Sequence, residues 1–170
     1  KLRIMADVQN VIGESAALNH ALDHLSNLAP IDRPILVIGE RGTGKEIAAN
    51  RLHFLSQRWQ APFLKLNCAS LPETLLDSEL FGYEPGAFTG ARRSHAGRFE
   101  RANQGSLFLD ELGTMPHSLQ EKLLRVIEYG ELERIGGSDT IKVDVRIIGA
   151  TNADLKQRAE DGLFRWDLLD

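Results

Sequence analysis

Gly39-Glu40-Arg41-Gly42-Thr43-Gly44-Lys45 is the stretch of sequence that decides the fold. It follows the apolar run Ile35–Ile38, which is too short for a helix and is typical of a buried parallel strand. It precedes Glu46–Leu55, where apolar residues recur at helical spacing. The glycines allow successive N–H groups to point at an anion, the helix N-terminus adds partial positive charge, and Lys45 can reach terminal phosphates. The stretch therefore predicts a phosphate-binding loop in which Gly39 to Lys45 contact a nucleotide.

The remaining periodicity alternates between strands and helices. Short apolar runs predict further strands at Phe63–Leu66, Leu107–Leu109 and Val143–Ala150. Helical spacing predicts helices at Ser15–Leu28, Pro72–Leu80 and Pro116–Tyr129. Alternation of this kind predicts a three-layer, Rossmann-like α/β fold with a parallel sheet covered on both faces. Between Gly82 and Gly97 the period is lost, which predicts a long functional loop.

The position after Lys45 departs from the usual phosphate-loop pattern, because Glu46 stands where Ser or Thr would offer a hydroxyl to Mg²⁺. A carboxylate suits a helix start but adds negative charge near phosphates. Either the metal accepts a carboxylate or a water as its ligand here, or Asp110 contributes more of the metal binding. The residues alone leave both alternatives open.

Polar residues follow three of the predicted strands. Asp110 and Glu111 end the apolar run Ser106–Leu109, and a parallel sheet places such strand ends beside the phosphate loop. Asp110 can then hold Mg²⁺ while Glu111 polarises the attacking water. Thr151 and Asn152 end the last strand, where they could sense the γ-phosphate or cap the next helix. Asn67 ends the second strand, and its chemistry alone does not assign it a role.

The bulk properties limit the class of protein. A length of 170 residues suits one domain, and the net charge of −4 argues against a protein that mainly coats nucleic acid. A basic cluster that runs from Arg92 to Arg101 is either a solvated face or a local DNA contact. No apolar run approaches the roughly 18 residues of a membrane span, no leader pattern opens the chain, and Cys68 is alone. A cytoplasmic protein without membrane insertion is therefore expected.

The long loop contains a more specific signal, Gly86-Ala87-Phe88-Thr89-Gly90-Ala91. This hexapeptide resembles the signature of sigma-54-dependent transcription activators, the bacterial enhancer-binding proteins. The resemblance extends over essentially the whole chain and includes Glu79–Gly82, Gly97–Glu100 and Leu109–Leu112. Within the family, the chain is most similar to the phage-shock-operon activators. The family usually has Glu at position 46, so the departure there is expected.

The resemblance implies a Mg-ATP-hydrolysing AAA+ domain that works in a ring, usually a hexamer, and remodels sigma-54 RNA polymerase at a promoter. It implies that Gly86 to Ala91 contact sigma-54, with Phe88 and Thr89 central, and that the basic cluster lies near promoter DNA. It also implies that Asn67 restrains Glu111 until that loop is engaged. Thr151 and Asn152 match the sensor position, and Arg134–Gly137 matches a second loop. Val11, Ile12 and Gly13 match a segment over the adenine.

Arg165 matches an arginine finger that would reach the phosphates of the neighbouring subunit, where such a charge can be worth thousands-fold in rate. Members of the family continue with a second arginine, a helical lid and commonly a DNA-binding helix-turn-helix. Residues 1–170 are thus expected to be the AAA+ α/β subdomain of a longer protein, and weak in nucleotide binding and turnover on their own. Met5 resembles a native start, which would make residues 1–4 a leader or an addition.

Such a chain, with no receiver domain, would be regulated by a partner in trans, and the resemblance implies phage shock protein A. Trp59, in a polar stretch, is either a docking residue for that partner or packs on its own domain. Two other function classes remain: a different AAA+ remodelling ATPase, which would lack the hexapeptide, and a nucleotide-binding module that never hydrolyses, which would usually lack Glu111 or Arg165.

Overall fold

The fold is a five-stranded parallel sheet with helices on both faces, seen in a computed structural model that describes residues 3–7, 23–40 and 44–169. The strand order is β1-β2-β7-β4-β3, and each neighbouring pair is parallel. The strands are β1 (Arg3–Asp7), β2 (Ile35–Ile38), β3 (Phe63–Asn67), β4 (Ser106–Asp110) and β7 (Arg146–Thr151). A separate antiparallel pair joins β5 (Glu131–Leu132) to β6 (Ile141–Lys142).

The helices come between these strands, as the sequence predicted. Residues 23–28 are helical and are called α1 here. The others are α2 (Lys45–Phe54), α3 (Glu73–Phe81), α4 (Arg98–Arg101), α5 (His117–Tyr129), α6 (Leu155–Glu160) and α7 (Trp166–Leu169). A 3₁₀ turn at Leu112–Thr114 follows β4. None of the helices in the described ranges is long and apolar enough to span a bilayer.

Two apolar cores lie on the two faces of the sheet because successive strand residues point to opposite sides. In β2, Leu36 belongs to the core on the α5 face, whereas Val37 belongs to the core on the α2 face. In β4, Leu107 and Leu109 face the α5 side, and Phe108 faces the α2 side. Burial on both faces explains why these strands read as continuous apolar runs. The three-layer α/β prediction is confirmed.

One predicted strand has the wrong start, and one strand was not predicted. The last strand does not begin at Val143, because Val143 N donates to Gly130 O and Asp144 O accepts from Gln104 N, which places residues 143 and 144 in a connection outside the sheet. The strand starts at Arg146. β1 was not predicted, and its backbone pairs with β2 from Arg3 opposite Ile35. The predicted helix Ser15–Leu28 lies partly outside the described residues, where its end at residues 23–28 is helical.

A buried arginine fixes the edge of the sheet at which the strands begin. Arg146 is 3% exposed, and burial lowers its pKa to about 10, so the guanidinium stays charged at neutral pH. It donates to the carbonyls of Leu28 (3.0 Å), Ala29 (2.7 Å) and Leu52 (3.1 Å). These carbonyls lie at the C-terminal ends of α1 and α2, which have no intrahelical donors for them. One side chain therefore holds two helices against β7.

We predict that Arg146→Met destabilises the fold, because it removes the guanidinium donors from the carbonyls of the buried residues Ala29 and Leu52 while it roughly preserves side-chain volume. The free energy of unfolding should fall by about 2–4 kcal/mol, as measured by urea denaturation. Arg92→Met, at an exposed position, is the matched control and should change it by less than about 0.5 kcal/mol. A loss below 1 kcal/mol for Arg146→Met would contradict this role.

Candidate functional site

The polar strand ends named by the sequence lie along one edge of the sheet, called here the carboxyl edge. It comprises Ile38, Thr151, Asp110 and Asn67, the last residues of β2, β7, β4 and β3. Asn67 pairs opposite Asp110, and Ile38 pairs opposite Thr151. Only β7 separates β2 from β4, so the start of the glycine turn and the acidic pair are roughly 10 Å apart. The glycine turn and the two acids therefore meet at one place.

Lys45 opens α2 beneath the glycine turn. Gly44 has φ 85°, a left-handed conformation that glycine adopts without strain, and its carbonyl accepts the first α2 hydrogen bond from Ala48 N. Lys45 is 9% exposed, and its Nζ donates to Gly39 O at 2.9 Å and Glu40 O at 3.1 Å. The ammonium is therefore held within the turn, where a phosphate could replace these carbonyls. Arg41, Gly42 and Thr43 lie outside the described residues.

Glu46 is exposed and accepts a hydrogen bond from Lys65 Nζ at 2.8 Å. Lys65 belongs to β3, so this ion pair holds the carboxylate at the outer side of the edge. Of the two alternatives for a metal, the geometry favours the one in which Asp110 does more of the holding.

Asp110 and Glu111 are positioned by a tight turn. Asp110 Oδ1 accepts from Glu111 N at 2.9 Å, and Glu111 has φ 53° and ψ 43°, a left-handed conformation. Among the described residues, Gln104 is the only other non-glycine residue with positive φ. This conformation costs roughly 1–2 kcal/mol and persists only where surrounding contacts enforce it. Thr114 supplies such contacts, since its N and Oγ1 both donate to Glu111 O.

A divalent metal fits this edge in one way. Within the described part of the chain, no three His, Cys, Asp or Glu side chains are grouped to enclose a metal. Mg²⁺ does not need such a cage, because it usually binds one or two carboxylates together with water and substrate phosphates. The Asp110 carboxylate at the strand end is suited to that arrangement.

Asn67 and Cys68 flank the acidic pair. The carboxamide oxygen of Asn67 accepts from Ala69 N at 2.8 Å, within its own turn. Cys68 N donates to Asp110 O at 2.9 Å, and burial, with smaller contributions from the charges of Asp110 and Glu111, raises the pKa of the Cys68 thiol to about 12. The thiol therefore stays protonated and fills space beside the acids.

The two sensor candidates differ in environment. Thr151 is 1% exposed, and its Oγ1 accepts from Ala153 N at 3.0 Å. A Cβ on Gly113 would come within 3.0 Å of that oxygen, so Thr151 packs against the turn after Glu111. Asn152 is exposed and lines a cavity of about 340 Å³ at the carboxyl edge. Of the two, only Asn152 is exposed. Val11, Ile12 and Gly13 lie outside the described residues.

The hexapeptide loop, Gly86–Ala91, closes on itself through Gly86 N to Ala91 O at 2.7 Å. The Phe88 ring is 48% exposed and contacts the Tyr83 ring edge-on at 4.8 Å. Tyr83 forms backbone bridges with both His95 and Ile135. A Cβ on Gly136 would lie 2.9 Å from Ala87, so the predicted second loop touches the hexapeptide loop directly.

The basic cluster is not one solvated face. Arg98 and Arg101 both pair with Glu79, and the His95 ring stacks on Tyr83 at 5.2 Å. Arg92 and Arg93 are exposed immediately after the hexapeptide loop. Arg101 is exposed as well, but it is held by its pairing with Glu79.

Arg165 precedes α7 at a partly exposed position. Its guanidinium makes a bidentate pair with Asp167, at 2.9 and 2.7 Å, which raises the pKa of Arg165. Leu163 is 51% and Trp166 50% exposed beside it. Sequence reasoning missed Gln120, whose Oε1 accepts from Arg165 N at 2.8 Å. A glutamine on the apolar stripe of α5, between Leu119 and Leu123, was the available signal.

Trp59 lies at the opposite edge of the sheet from the acids. It is 53% exposed and lines a cavity of about 400 Å³ together with Arg58 and Arg146. Half of its surface therefore packs on its own domain, and half is presented to solvent.

The chain resembles known proteins over nearly its whole length. Residues 11–170 match the family described as Sigma-54 interaction domain. The Psp operon transcriptional activator of Escherichia coli (strain K12) is 63% identical over 161 residues, which are 95% of this chain and 50% of that protein. The chain thus spans half the length of this curated relative.

Solved structures agree in fold. NtrX from Brucella abortus superposes with a TM-score of 0.86 at 38% identity, over 92% of this chain and 35% of that one. NtrX crystallised in complex with ATP gives a TM-score of 0.82 at 37% identity, over 93% of this chain and 35% of that one. Together with the hexapeptide and the carboxyl edge, these matches show that the chain belongs to the sigma-54-dependent transcription activators and contains their P-loop AAA+ domain.

Proposed function

We propose that this chain is the Mg-ATP-hydrolysing core of an oligomeric motor that remodels sigma-54 RNA polymerase. The observation that carries the proposal is the shared edge on which the Lys45 turn and the Asp110–Glu111 pair lie two strands apart. NtrX, a structural relative, binds ATP, and the matched family is defined by sigma-54 interaction.

In this mechanism, the glycine turn from Gly39 to Lys45 holds the phosphates, and Lys45 exchanges its two backbone carbonyls for them. Mg²⁺ bound by Asp110 would neutralise charge that develops on the β- and γ-phosphates. Glu111 orients the attacking water and accepts its proton, which the left-handed backbone at this residue helps to aim. Asn152 would sense the γ-phosphate, with Thr151 as a buried support, and Asn67 would restrain Glu111. Val11, Ile12 and Gly13 would cover the adenine.

Arg165 would act on the site of the neighbouring subunit. The exposed apolar side chains of Leu163 and Trp166 beside it suit a surface covered by another subunit, because apolar groups gain free energy on burial. We propose a homo-oligomer, a hexameric ring in the complete protein, and this placement of Arg165 supports it. Residues 1–170 on their own would bind nucleotide poorly and hydrolyse it weakly, as expected for the α/β subdomain of a longer protein.

We further propose that the complete protein is cytoplasmic, carries a lid and a helix-turn-helix for enhancer DNA, and is restrained by phage shock protein A. The E. coli relative is named as an activator of the psp operon, and the restraint by phage shock protein A is proposed from the family resemblance. A non-hydrolysing nucleotide-binding module is the alternative, and the first experiment separates the two.

We predict that Glu111→Gln in the full-length protein retains ATP binding and lowers kcat by about 100-fold or more, because the amide cannot accept the proton of the water. Steady-state phosphate release and nucleotide binding by calorimetry measure the two effects. Glu160→Gln, at an exposed position, should leave both unchanged. Turnover that survives Glu111→Gln would remove Glu111 from the mechanism, and a wild-type protein without turnover would favour the module.

We predict that Thr89→Ala preserves ATP hydrolysis and abolishes capture of sigma-54 in the presence of an ATP transition-state analogue. Thr89 lies at the tip of the hexapeptide loop beside the half-exposed Phe88, so its loss should affect the contact surface and not the carboxyl edge. Ser94→Ala, exposed on the return of the same loop, should leave capture intact. Open-complex formation by Thr89→Ala would show that the loop assignment is wrong.

We predict that Trp59→Ala relieves repression by phage shock protein A without change in basal ATPase activity, because the exposed half of the ring lies at the edge opposite the acids. ATPase rate against repressor concentration is the measurement. Leu75→Ala, another exposed apolar residue at 52%, serves as the control. An unchanged repression curve for Trp59→Ala would end the docking idea.

A further inference from the structure

Gln120 is a completely buried polar side chain on the apolar face of α5. It is 0% exposed, and its neighbours on that face, Leu119 and Leu123, are core residues. A leucine or methionine could fill this space. The amide therefore adds something that packing does not need, namely three directed hydrogen bonds.

Those hydrogen bonds connect two segments that are distant in sequence. The Gln120 Nε2 group donates to Met115 O at 2.9 Å and to Leu163 O at 3.0 Å, and Oε1 accepts from Arg165 N at 2.8 Å. Two carbonyls and one N–H match both donors and one acceptor position of a carboxamide. All three partners are backbone groups, so the side chain fixes the path of the chain on either side.

The first segment is the turn that carries Glu111. Thr114 N donates to Glu111 O, and Met115 N donates to Leu112 O, so the backbone from Glu111 to Met115 is one hydrogen-bonded unit. The Gln120 bond to Met115 O holds the end of that unit. Displacement of this end would relax the left-handed conformation of Glu111, which persists only under external constraint.

The second segment is Leu163–Arg165. The backbones of Leu163 and Arg165 are hydrogen-bonded to the Gln120 amide. Phe164 between them is buried, with 2% exposure. The backbone of Arg165 is thus fixed, while its guanidinium is partly exposed and held by Asp167. Only a rotation of the Arg165 side chain is then needed to reach outward.

We propose that Gln120 is a positioning residue that couples the Glu111 turn of each subunit to the Arg165 that the same subunit presents to its neighbour. This inference rests on the proposed ATPase function and on Arg165 acting in trans. A change at the Glu111 turn on hydrolysis is transmitted through one carboxamide to the arginine that serves the next site. The state of one site in the ring thereby affects the arginine that the adjacent site receives.

The first test compares Gln120→Met with Ser118→Ala in the full-length protein. Ser118 lies on the same helix, and its hydroxyl donates to Glu73 at the surface. At a temperature well below both melting temperatures, Gln120→Met should lower kcat by about 10–100-fold, the size expected for small misplacement of reacting groups. Its KM and ATP affinity should stay within about twofold of wild type, because it does not touch the phosphate turn. Ser118→Ala should match wild type.

The second test assigns the effect to each side of the coupling. Arg165→Ala subunits keep the acids and Glu111→Gln subunits keep the arginine, so mixed rings should regain turnover that neither variant shows alone. Gln120→Met is then added to one kind of subunit at a time. A loss of the regained turnover in both placements supports coupling.

The third variant, Gln120→Glu, covers the case in which Gln120→Met does not fold. Its carboxyl can accept from Arg165 N, but only the protonated form can donate to a carbonyl. Burial raises the pKa of such a group, so its kcat relative to wild type should rise as the pH falls from 8 to 6. A flat ratio would overturn the proposal.

The remaining outcomes separate the proposals. Mixed rings that regain turnover regardless of Gln120 would overturn the coupling and leave the ATPase function standing. Mixed rings that never regain turnover, formed from subunits of an active wild-type protein, would overturn Arg165 as a trans-acting group and the coupling with it.

Discussion

The hydrogen bond from Gly39 N to Thr151 O, at 3.1 Å, extends the pairing of β2 and β7 by one residue beyond the last register pair. It fixes the start of the glycine turn to the end of β7, and β7 is in turn paired with β4. Because the strands are parallel, the position of the turn relative to Asp110 is set by backbone pairing and not by side chains. The chemistry of the carboxyl edge therefore depends on the correct sheet order more than on any single contact.

This constraint shows why some features could be read from the sequence. The runs Ile35–Ile38 and Ser106–Leu109 are buried on both faces of the sheet, so each appears in the sequence as an apolar stretch that ends at the carboxyl edge. The glycine turn could be recognised from its residue types, which are several glycines followed by a lysine. Given parallel strands, the meeting of Lys45 with Asp110 and Glu111 follows from sheet geometry alone. The fold and the centre of the site were predictable for that physical reason.

Other features could not be read, because they depend on tertiary contacts of backbone groups. Val143 and Val145 look like strand residues, yet the carbonyl of Gly130 captures Val143 N. The pairing of Glu46 with Lys65 requires that α2 and β3 be placed in space. The three partners of Gln120 are main-chain atoms, which every residue has, so the sequence could not predict them. The only signal for Gln120 in the sequence was a polar residue on an apolar stripe.

The two edges of the sheet are held in different ways, and this difference bears on where the protein can move. At the amino edge, Arg146 binds carbonyls of two helices, and Arg58 binds Asp32 and the carbonyl of Gly105. His53 is fully buried there, bonded to Ser106 Oγ and stacked on Phe63, and desolvation lowers its pKa. A dense network of this kind, built on the buried side chains of Arg146 and His53, opens only with a large part of the fold.

At the carboxyl edge the connections are turns: the Glu111–Met115 unit, the hexapeptide loop against Gly136, and the Leu163–Arg165 segment. Each is attached by one side chain or by a few backbone hydrogen bonds. The Phe88 ring contacts the Tyr83 ring in an edge-on arrangement. Small changes in these attachments leave the sheet intact. Motion driven by a nucleotide would therefore be confined to the carboxyl edge and the loops, with the rigid amino edge as the frame against which they move.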